Sequence, residues 1–417
     1  MAIDGAAAGT VVPDIPYVRR RDGSEHRATY FELFFDLVYV FAITQLSHHL
    51  LADLDWAGAA RTAFLLLAVY WAWNYTTWMT NWFDPETAPV RLVLVFVMLS
   101  SLLMAVAIPE GFGDRAMLFA AAYGALQIGR NAFVVAVTPP GPFHRNFVQI
   151  LAWSAASLPL WLGGAVAGDA ARWALWLAAL GLDLAGPLAR YWLPGWGRTP
   201  LREWEIDPGH FSERFQLLVI IVLGESIVLT GSATSGSALD TPVGVALALS
   251  FLSSTALWWL YFGQVAGSAV RRITADELPG QVGRDAYTYL HFPIVAGVLL
   301  AAVGDELVIA HPGDELGTAG ALVTLGGPAL YLLGLAVFAA RVGRHQARTR
   351  LAVVVALVVA IPLAAEATGL VVAALLTALL AALAVADHRG VGHPPPVTPA
   401  SATPAAPASA TPPAPGP

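Results

Sequence analysis

Between residues 29 and 386 the chain is a series of apolar runs, each roughly 20 residues long, divided by short polar breaks. Wound as a helix at ~1.5 Å per residue, such a run spans the ~30 Å hydrocarbon core of a bilayer. This pattern restricts the fold more than any motif does. Backbone inside hydrocarbon must satisfy its own hydrogen bonds, which leaves only helices and closed barrels. The runs are continuous and Leu/Ala-rich rather than alternating over about ten residues, so barrel strands are excluded. Helices are expected at 29–51, 57–82, 89–109, 115–138, 147–167, 171–193, 212–231, 242–264, 286–309, 317–340, 350–365 and 368–386. As one helix, 350–386 would reach about 55 Å, and Glu366-Ala367-Thr368-Gly369 supplies a turn that divides it.

Composition agrees. Of the residues, 57% are hydrophobic and only 12% charged, against about 25% charged in soluble domains. The absence of Cys excludes disulfides and thiolate metal sites. Every one of the 22 basic residues is Arg, which together with the abundant Ala reads as the codon bias of a GC-rich bacterial genome. The first run carries Glu32 and Asp36 and no small-residue cleavage site follows, so it is expected to stay as a span rather than act as a signal peptide. The expected fold is an all-α polytopic transmembrane bundle of about twelve spans. Its segments are a cytoplasmic stretch 1–28, a six-helix half 29–193, a cytoplasmic linker 194–211, a second six-helix half 212–387 and a disordered Pro/Ala-rich tail 388–417. The Gly/Ser-rich stretch Gly231 to Gly236 is not a Walker A motif and reads as a loop.

Sorting the loops alternately gives an orientation. One side collects Arg19, Arg20, Arg21, Arg27, Arg91, Arg145, Arg190, Arg198, Arg202, Arg214, Arg271, Arg272, Arg284, Arg341, Arg344, Arg348, Arg350 and Arg389, which is 18 of 22. The other holds Arg61, Arg115 and Arg172 against acidic loops such as Asp53/Asp55 and Asp305/Glu306/Asp314/Glu315. Both termini are therefore expected on the cytoplasmic side of a bacterial inner membrane. A faint repeat supports two halves of the same orientation: Glu32-Leu33-Phe34 and Glu213-Arg214-Phe215 open corresponding helices, and Trp71 and Trp73 correspond to Trp258 and Trp259.

Ionisable residues inside a span are functional candidates that need a partner. Glu32 and Asp36 are four apart, hence on one helical face, and Ser47 returns to nearly the same azimuth. They could line an ion or proton path, or Glu32 could complement the helix dipole and pair with Arg27 or Arg214. Asp36, lying deeper, is expected to be functional. Glu225 lies twelve residues beyond Glu213, about 18 Å along the helix, and suits a proton carrier or cation ligand. Gly224 beside it would admit a neighbouring helix. Arg130 and Asp183 sit at matching depths in two spans and are expected to form a structural ion pair. His291 could relay protons or simply be hydrogen-bonded, and His48-His49 carry less weight. Trp71, Tyr75, Trp78 and Trp82 share one face and read as packing or interfacial belt. No HExxH or ligand-spaced His/Asp cluster appears, so a metalloprotease is disfavoured.

The stretch Phe31-Glu32-Leu33-Phe34-Phe35-Asp36-Leu37-Val38-Tyr39-Val40-Phe41-Ala42-Ile43 with Gln45 and Leu46, together with Glu213-Arg214-Phe215 through Leu223-Gly224-Glu225-Ser226 and Tyr289-Leu290-His291 to Ala296-Gly297, resembles the bacterial low temperature requirement A family. The resemblance covers about residues 25–390 and implies a multi-spanning membrane protein, with no settled biochemical activity. Gln216 departs from the family pattern, which has a small or apolar residue there. A fainter likeness, in architecture alone, is to two-repeat potassium channels whose first helix carries Phe-Ser-Asp; here Phe34-Phe35-Asp36 has Phe in place of Ser. The expected function is movement of a small ion, a proton or another cation. Asp36 and Glu225 would be the exchangeable carboxylates, and Glu32, Glu213 and His291 secondary groups. The alternative is a non-transporting accessory protein whose buried charges only pack helices. No enzyme activity, cofactor or nucleic-acid partner is expected; the partners are the lipid bilayer and a small ion.

Overall fold

The computed structural model describes residues 17–19, 26–235, 239–263, 265–342 and 347–389. The helices are α1 (Tyr30–Ala52), α2 (Trp56–Trp82), α3 (Ala88–Ala107), α4 (Ala116–Val137), α5 (Pro142–Val166), α6 (Asp169–Leu188), α7 (Pro208–Ser235), α8 (Thr241–Phe262), α9 (Val265–Thr274), α10 (Pro279–Val282), α11 (His291–Ala310), α12 (Gly317–Arg341), α13 (Ala347–Ala365) and α14 (Gly369–Arg389). A π-helical turn, Gly283–Tyr289, joins α10 to α11, and Leu201–Glu203 forms a 3-10 turn before α7. Among the described residues there is no strand, only isolated bridges such as Val18 with Phe83.

Leaving out the short α9 and α10, the helices follow the expected segments within about five residues; α6 stops at Leu188 rather than at 193, where Arg190 and Tyr191 take positive φ and turn the chain. The expected break near 366 is present: Leu316 N–H donates to Ala367 O (3.1 Å) and Gly369 N–H to Asp314 O (3.0 Å), which closes the turn. Two other departures have local causes. α5 starts earlier than expected, at Pro142, because a proline in the first turn sacrifices no hydrogen bond there. The stretch from Gly231, expected to be a loop, is helical through Ser235. Its hydroxyls bond back within the helix, Ser232 to Leu229 O (2.9 Å) and Thr234 to Thr230 O (2.7 Å). Gly236, the tail beyond Arg389, and Arg20, Arg21 and Arg344 lie outside the described residues.

Nine helices among the described residues are long and apolar enough to cross a membrane, with α10 through α11 counted as one. The other three long helices are α2, α4 and α6, and of these α2 and α4 carry many of the polar groups that the bundle encloses. α2 buries Thr62, Asn74, Thr76, Thr77, Thr80 and Asn81, and α4 buries Gln127, Arg130 and Asn131. Outside, large apolar side chains face the solvent, such as Leu92 and Leu99 of α3 and Val359 and Leu363 of α13. Hydrocarbon is the solvent that suits such a surface.

α1 shows how the sequence sets one inward face. Glu32, Phe35, Asp36, Tyr39, Ala42, Ile43, Leu46, Ser47 and Leu50 are buried, three and four apart. Thr29 caps the helix and Glu32 reaches back to the Thr29 N–H (2.9 Å), a complete capping box. Replacing Thr29 with Ala should cost about 1 kcal/mol, readable as faster hydrogen exchange in the first turn of α1. In the second half α7 packs on α11, α11 on α12 and α12 on α13, and in the first half α1 packs on α3, α3 on α4 and α4 on α5. The last helices differ: α6 lies on α5, whereas α14 lies on α8.

Candidate functional site

The interior charges gather first where α1 and α7 begin. The segment before α1 runs along the end of α2, with Arg19 N–H donating to Trp82 O (2.9 Å). This brings the Arg19 guanidinium to Glu32 (3.1 Å) and to Thr80 O (2.8 Å). α7 presents His210 and Arg214, four apart and on one face. His210 Nε2 meets Glu32 Oε1 at 2.9 Å and its Nδ1 meets the Asn81 amide nitrogen at 3.1 Å. Asn81 donates there, so Nδ1 accepts and the ring proton lies on Nε2, toward Glu32. Arg214 grips Asp36 with both ends of its fork, at 2.7 and 2.8 Å, and Trp73 Nε1–H donates to the same carboxylate at 2.9 Å. The Phe35 and Trp73 rings stand 5.8 Å from the guanidinium. Two cations face two anions here, and Glu32 and Arg214 are fully buried while Asp36 is 2% exposed. Asp36 accepts three hydrogen bonds in this array, two from Arg214 and one from Trp73, which tie α1 to α7 and α2.

Four arginines expected to mark the cytoplasmic loops are thus interior or nearly so: Arg19, Arg214, Arg284 and Arg350 are all buried. Arg350 pairs with Asp387 at 2.7 Å, and Arg284 with Asp285 at 2.6 Å. Asp305 and Glu306, read as an outer acidic loop, lie inside α11, where Asp305 is buried.

Farther along α7 lies Glu225. It is 1% exposed, and among the described residues no ion pair involves it. Thr44 of α1 lies 2.6 Å from its Oε2, and the same hydroxyl sits 3.1 Å from Val40 O. The Thr44 hydroxyl has one hydrogen, which it donates to Glu225 Oε2 or shares between that oxygen and Val40 O. Glu225 Oε1 has no partner, and neither does the buried Ser226 hydroxyl next to it. His48 of α1 and Glu306 of α11 are the ionisable side chains that act on it electrostatically. Gly224, expected to admit a close neighbour, faces open space.

The other expected site residues are dispersed. Glu213 is half-buried and accepts from Ala28 N–H (2.8 Å), tying down the segment before α1. Gln216 donates to Ser212 (3.0 Å) rather than meeting Glu213. Arg130 and Asp183 form no ion pair. Arg130 bonds Gln127 and Thr76 (3.1 Å) and lies over the Tyr75 ring, while Asp183 accepts from Tyr123 (2.9 Å) and Trp161 (3.1 Å). Gln127 donates to Tyr123 (3.0 Å), so a chain of neutral donors stands where the direct pair was expected. Matching depth along two helices does not set which faces meet. His291 donates from Nδ1 to Ala286 O (3.2 Å), accepts from Tyr261 (2.9 Å) and stacks on Tyr287 at 4.7 Å. Both nitrogens are therefore satisfied inside an aromatic box. His210 and Arg19 are the members of the first cluster that spacing did not single out. The signal for His210 was its place one turn before Arg214 on the buried face of α7.

The helices, their apolar exterior and the buried charges define a multi-pass α-helical membrane protein. More particularly, the model of the bacterial low temperature requirement A protein (LtrA) family matches residues 27–385, and the chain belongs to that family. It is 37% identical over 321 residues to an uncharacterised protein of Rhizobium meliloti (strain 1021), covering 76% of this chain and 78% of that one. No solved structure matches it.

Proposed function

We propose that this protein moves protons, or another small cation, across the bacterial inner membrane, with Glu225 as the exchanging group. The observation that carries this reading is the Glu225 carboxyl, buried between α1 and α7. One oxygen is held by Thr44, and among the described residues the other has no hydrogen-bond partner and no ion pair neutralises the group. Hydrocarbon tolerates such a group only as a neutral acid or with a bound cation, and shuttling between those states is what a carrier does. In this reading the chain crosses the bilayer twelve times in two like-oriented six-helix halves, with both termini cytoplasmic and no enzymatic chemistry. The partly matched packing of the two halves and the bias in Arg placement support it. Glu32, Asp36, Arg214, His210 and Arg19 then form a latch that holds α1 against α7, while Glu213 anchors the segment before α1 and His291 stiffens the start of α11.

The test is flux into vesicles containing the purified protein, with a pH-sensitive dye for protons and cation-sensitive dyes in parallel. Glu225→Gln, which keeps the shape and the Thr44 contact, should reduce flux to that of protein-free vesicles. Asp36→Asn should lower thermal stability and leave the flux per folded molecule unchanged. A second reading, an accessory protein that transports nothing, draws on the closed Asp36–Arg214 pair. It predicts no flux above background for the unmodified chain with any cation.

A further inference from the structure

Glu225 lies ten residues before Ser235, the last of α7, about 15 Å from the end of that helix opposite the latch. α1 and α11 run the same way: α1 begins at the latch, and α11 begins with His291 against Phe215, early in α7 (5.1 Å). Both pack on α7 and on each other. Two ionisable side chains stand between Glu225 and the far end. His48 of α1 follows Thr44 by four positions, and Thr44 is the residue that bonds Glu225. The imidazole therefore sits one turn nearer the end on the same face. Glu306 of α11 is four residues before Ala310, the last of its helix. His48 and Glu306 both act electrostatically on Glu225, and His48 acts on Glu306. Asp305, the residue before Glu306, faces α8 instead, at Ser250.

Exposure rises along this line. Glu225 is buried. Glu306 is half-buried, and its enclosed Oε2 has no partner among the described residues. His48 is exposed. Beyond them the helices end in polar turns, where Asp53 is 58% exposed and His311 and Asp314 are 70% and 76% exposed, so water reaches this end. Among the described residues no ion pair holds Glu225, Glu306 or His48. Acids without a cation are costly inside a span, and structure alone gives no return for two of them. Carboxyl and imidazole groups both bind and release protons, whereas hard metal cations take oxygen ligands rather than imidazole.

We propose that the carried ion is the proton, and that it moves between Glu225 and the water at the end opposite the latch through Glu306 and His48. This rests on the reading of Glu225 as the exchanging group and adds its substrate and its route. Protonated Glu225 gives its proton to the Glu306 carboxylate, Glu306 gives it to the neutral His48 ring, and the imidazolium releases it to water; uptake runs backward. The test follows a pH-sensitive dye in vesicles holding the full-length protein. The parent chain should move protons and Glu225→Gln none. Glu306→Gln, shown to be folded by its unfolding curve, should move them at least about tenfold more slowly. Glu306→Asp keeps an acid and should be faster than Glu306→Gln; the reverse order marks a side chain that matters only for its shape and overturns the route. His48→Cys tests the route independently, since the chain has no other Cys. It should slow the flux, and a membrane-impermeant thiol reagent should label it from the same face as Asp314→Cys. Flux lost in Glu225→Gln but unchanged in folded Glu306→Gln overturns the route and leaves the Glu225 reading standing. So does a His48→Cys thiol that the reagent reaches from neither face. A parent chain that moves only another cation overturns the choice of the proton, and one that moves no ion overturns both readings.

Discussion

Arg214→Ala is expected to destabilise the protein by about 3–5 kcal/mol, because it strands a buried carboxylate. Arg214 supplies both short ionic contacts of Asp36, at 2.7 and 2.8 Å, and among the described residues no other cation pairs with that carboxylate. Among the described residues the only other donor to it is Trp73 Nε1–H. Glu32 loses less, since Arg19 and His210 still hold it. The companion experiment replaces both partners, Asp36→Leu with Arg214→Met. Two apolar side chains of similar volume should recover most of the loss, because replacing a buried ion pair with well-packed apolar groups is often neutral. Unfolding of the purified protein in micelles, by denaturing detergent or heat, reads both variants. If Arg214→Ala unfolds within about 1 kcal/mol of the parent chain, water reaches Asp36 and the latch is no latch. A path through Asp36 would then deserve a new test by flux.

Gly327→Ala should be nearly as damaging, although it adds one methyl group. α11 and α12 pack with their backbones almost touching. A Cβ on Gly327 would stand 2.4 Å from the Ala301 amide nitrogen, and one on Gly297 would stand 2.4 Å from that of Tyr331. Both obstacles are backbone, so no side chain can swing aside and the helices must separate. Small residues matter here because in lipid helices associate by close packing rather than by exclusion of water. The expected loss is about 3 kcal/mol, the upper end of the overpacking range. Gly326→Ala is the control. That position has no atom within 4 Å of an added Cβ, so the substitution should stabilise by up to about 1 kcal/mol through helix propensity. The same unfolding assay compares the two. Equal behaviour of Gly326→Ala and Gly327→Ala would disprove the close approach.

Much of this protein was legible in residue order. The length of the apolar runs set the helices, and the turn at Glu366 to Gly369 was readable from its residues. The three- and four-residue spacing along α1 placed Glu32, Asp36 and Ser47 on one inward face, where they lie. The Gly231 stretch was misread because Ser and Thr signal loops in water, yet within a helix they can bond their own preceding turn. Asp305 and Glu306 were misread for a related reason: acidic residues near a helix end resemble a loop until burial shows that Asp305 is inside.

Partnership was another matter. Residue order allows Arg214 to pair with Glu32, but its short bonds go to Asp36. Arg130 and Asp183 share a depth and do not meet. Glu225 was singled out by position, whereas its contact with Thr44 and its vacant oxygen came only with the packing of α7 on α1. Sequence alone determined what each helix is and which face it hides, since these follow from hydrophobic length and a periodicity of about 3.6 residues. Tertiary structure alone decided which hidden groups touch. That depends on rotations and slides between helices far apart in the chain, where an ångström separates an ion pair from two unrelated charges.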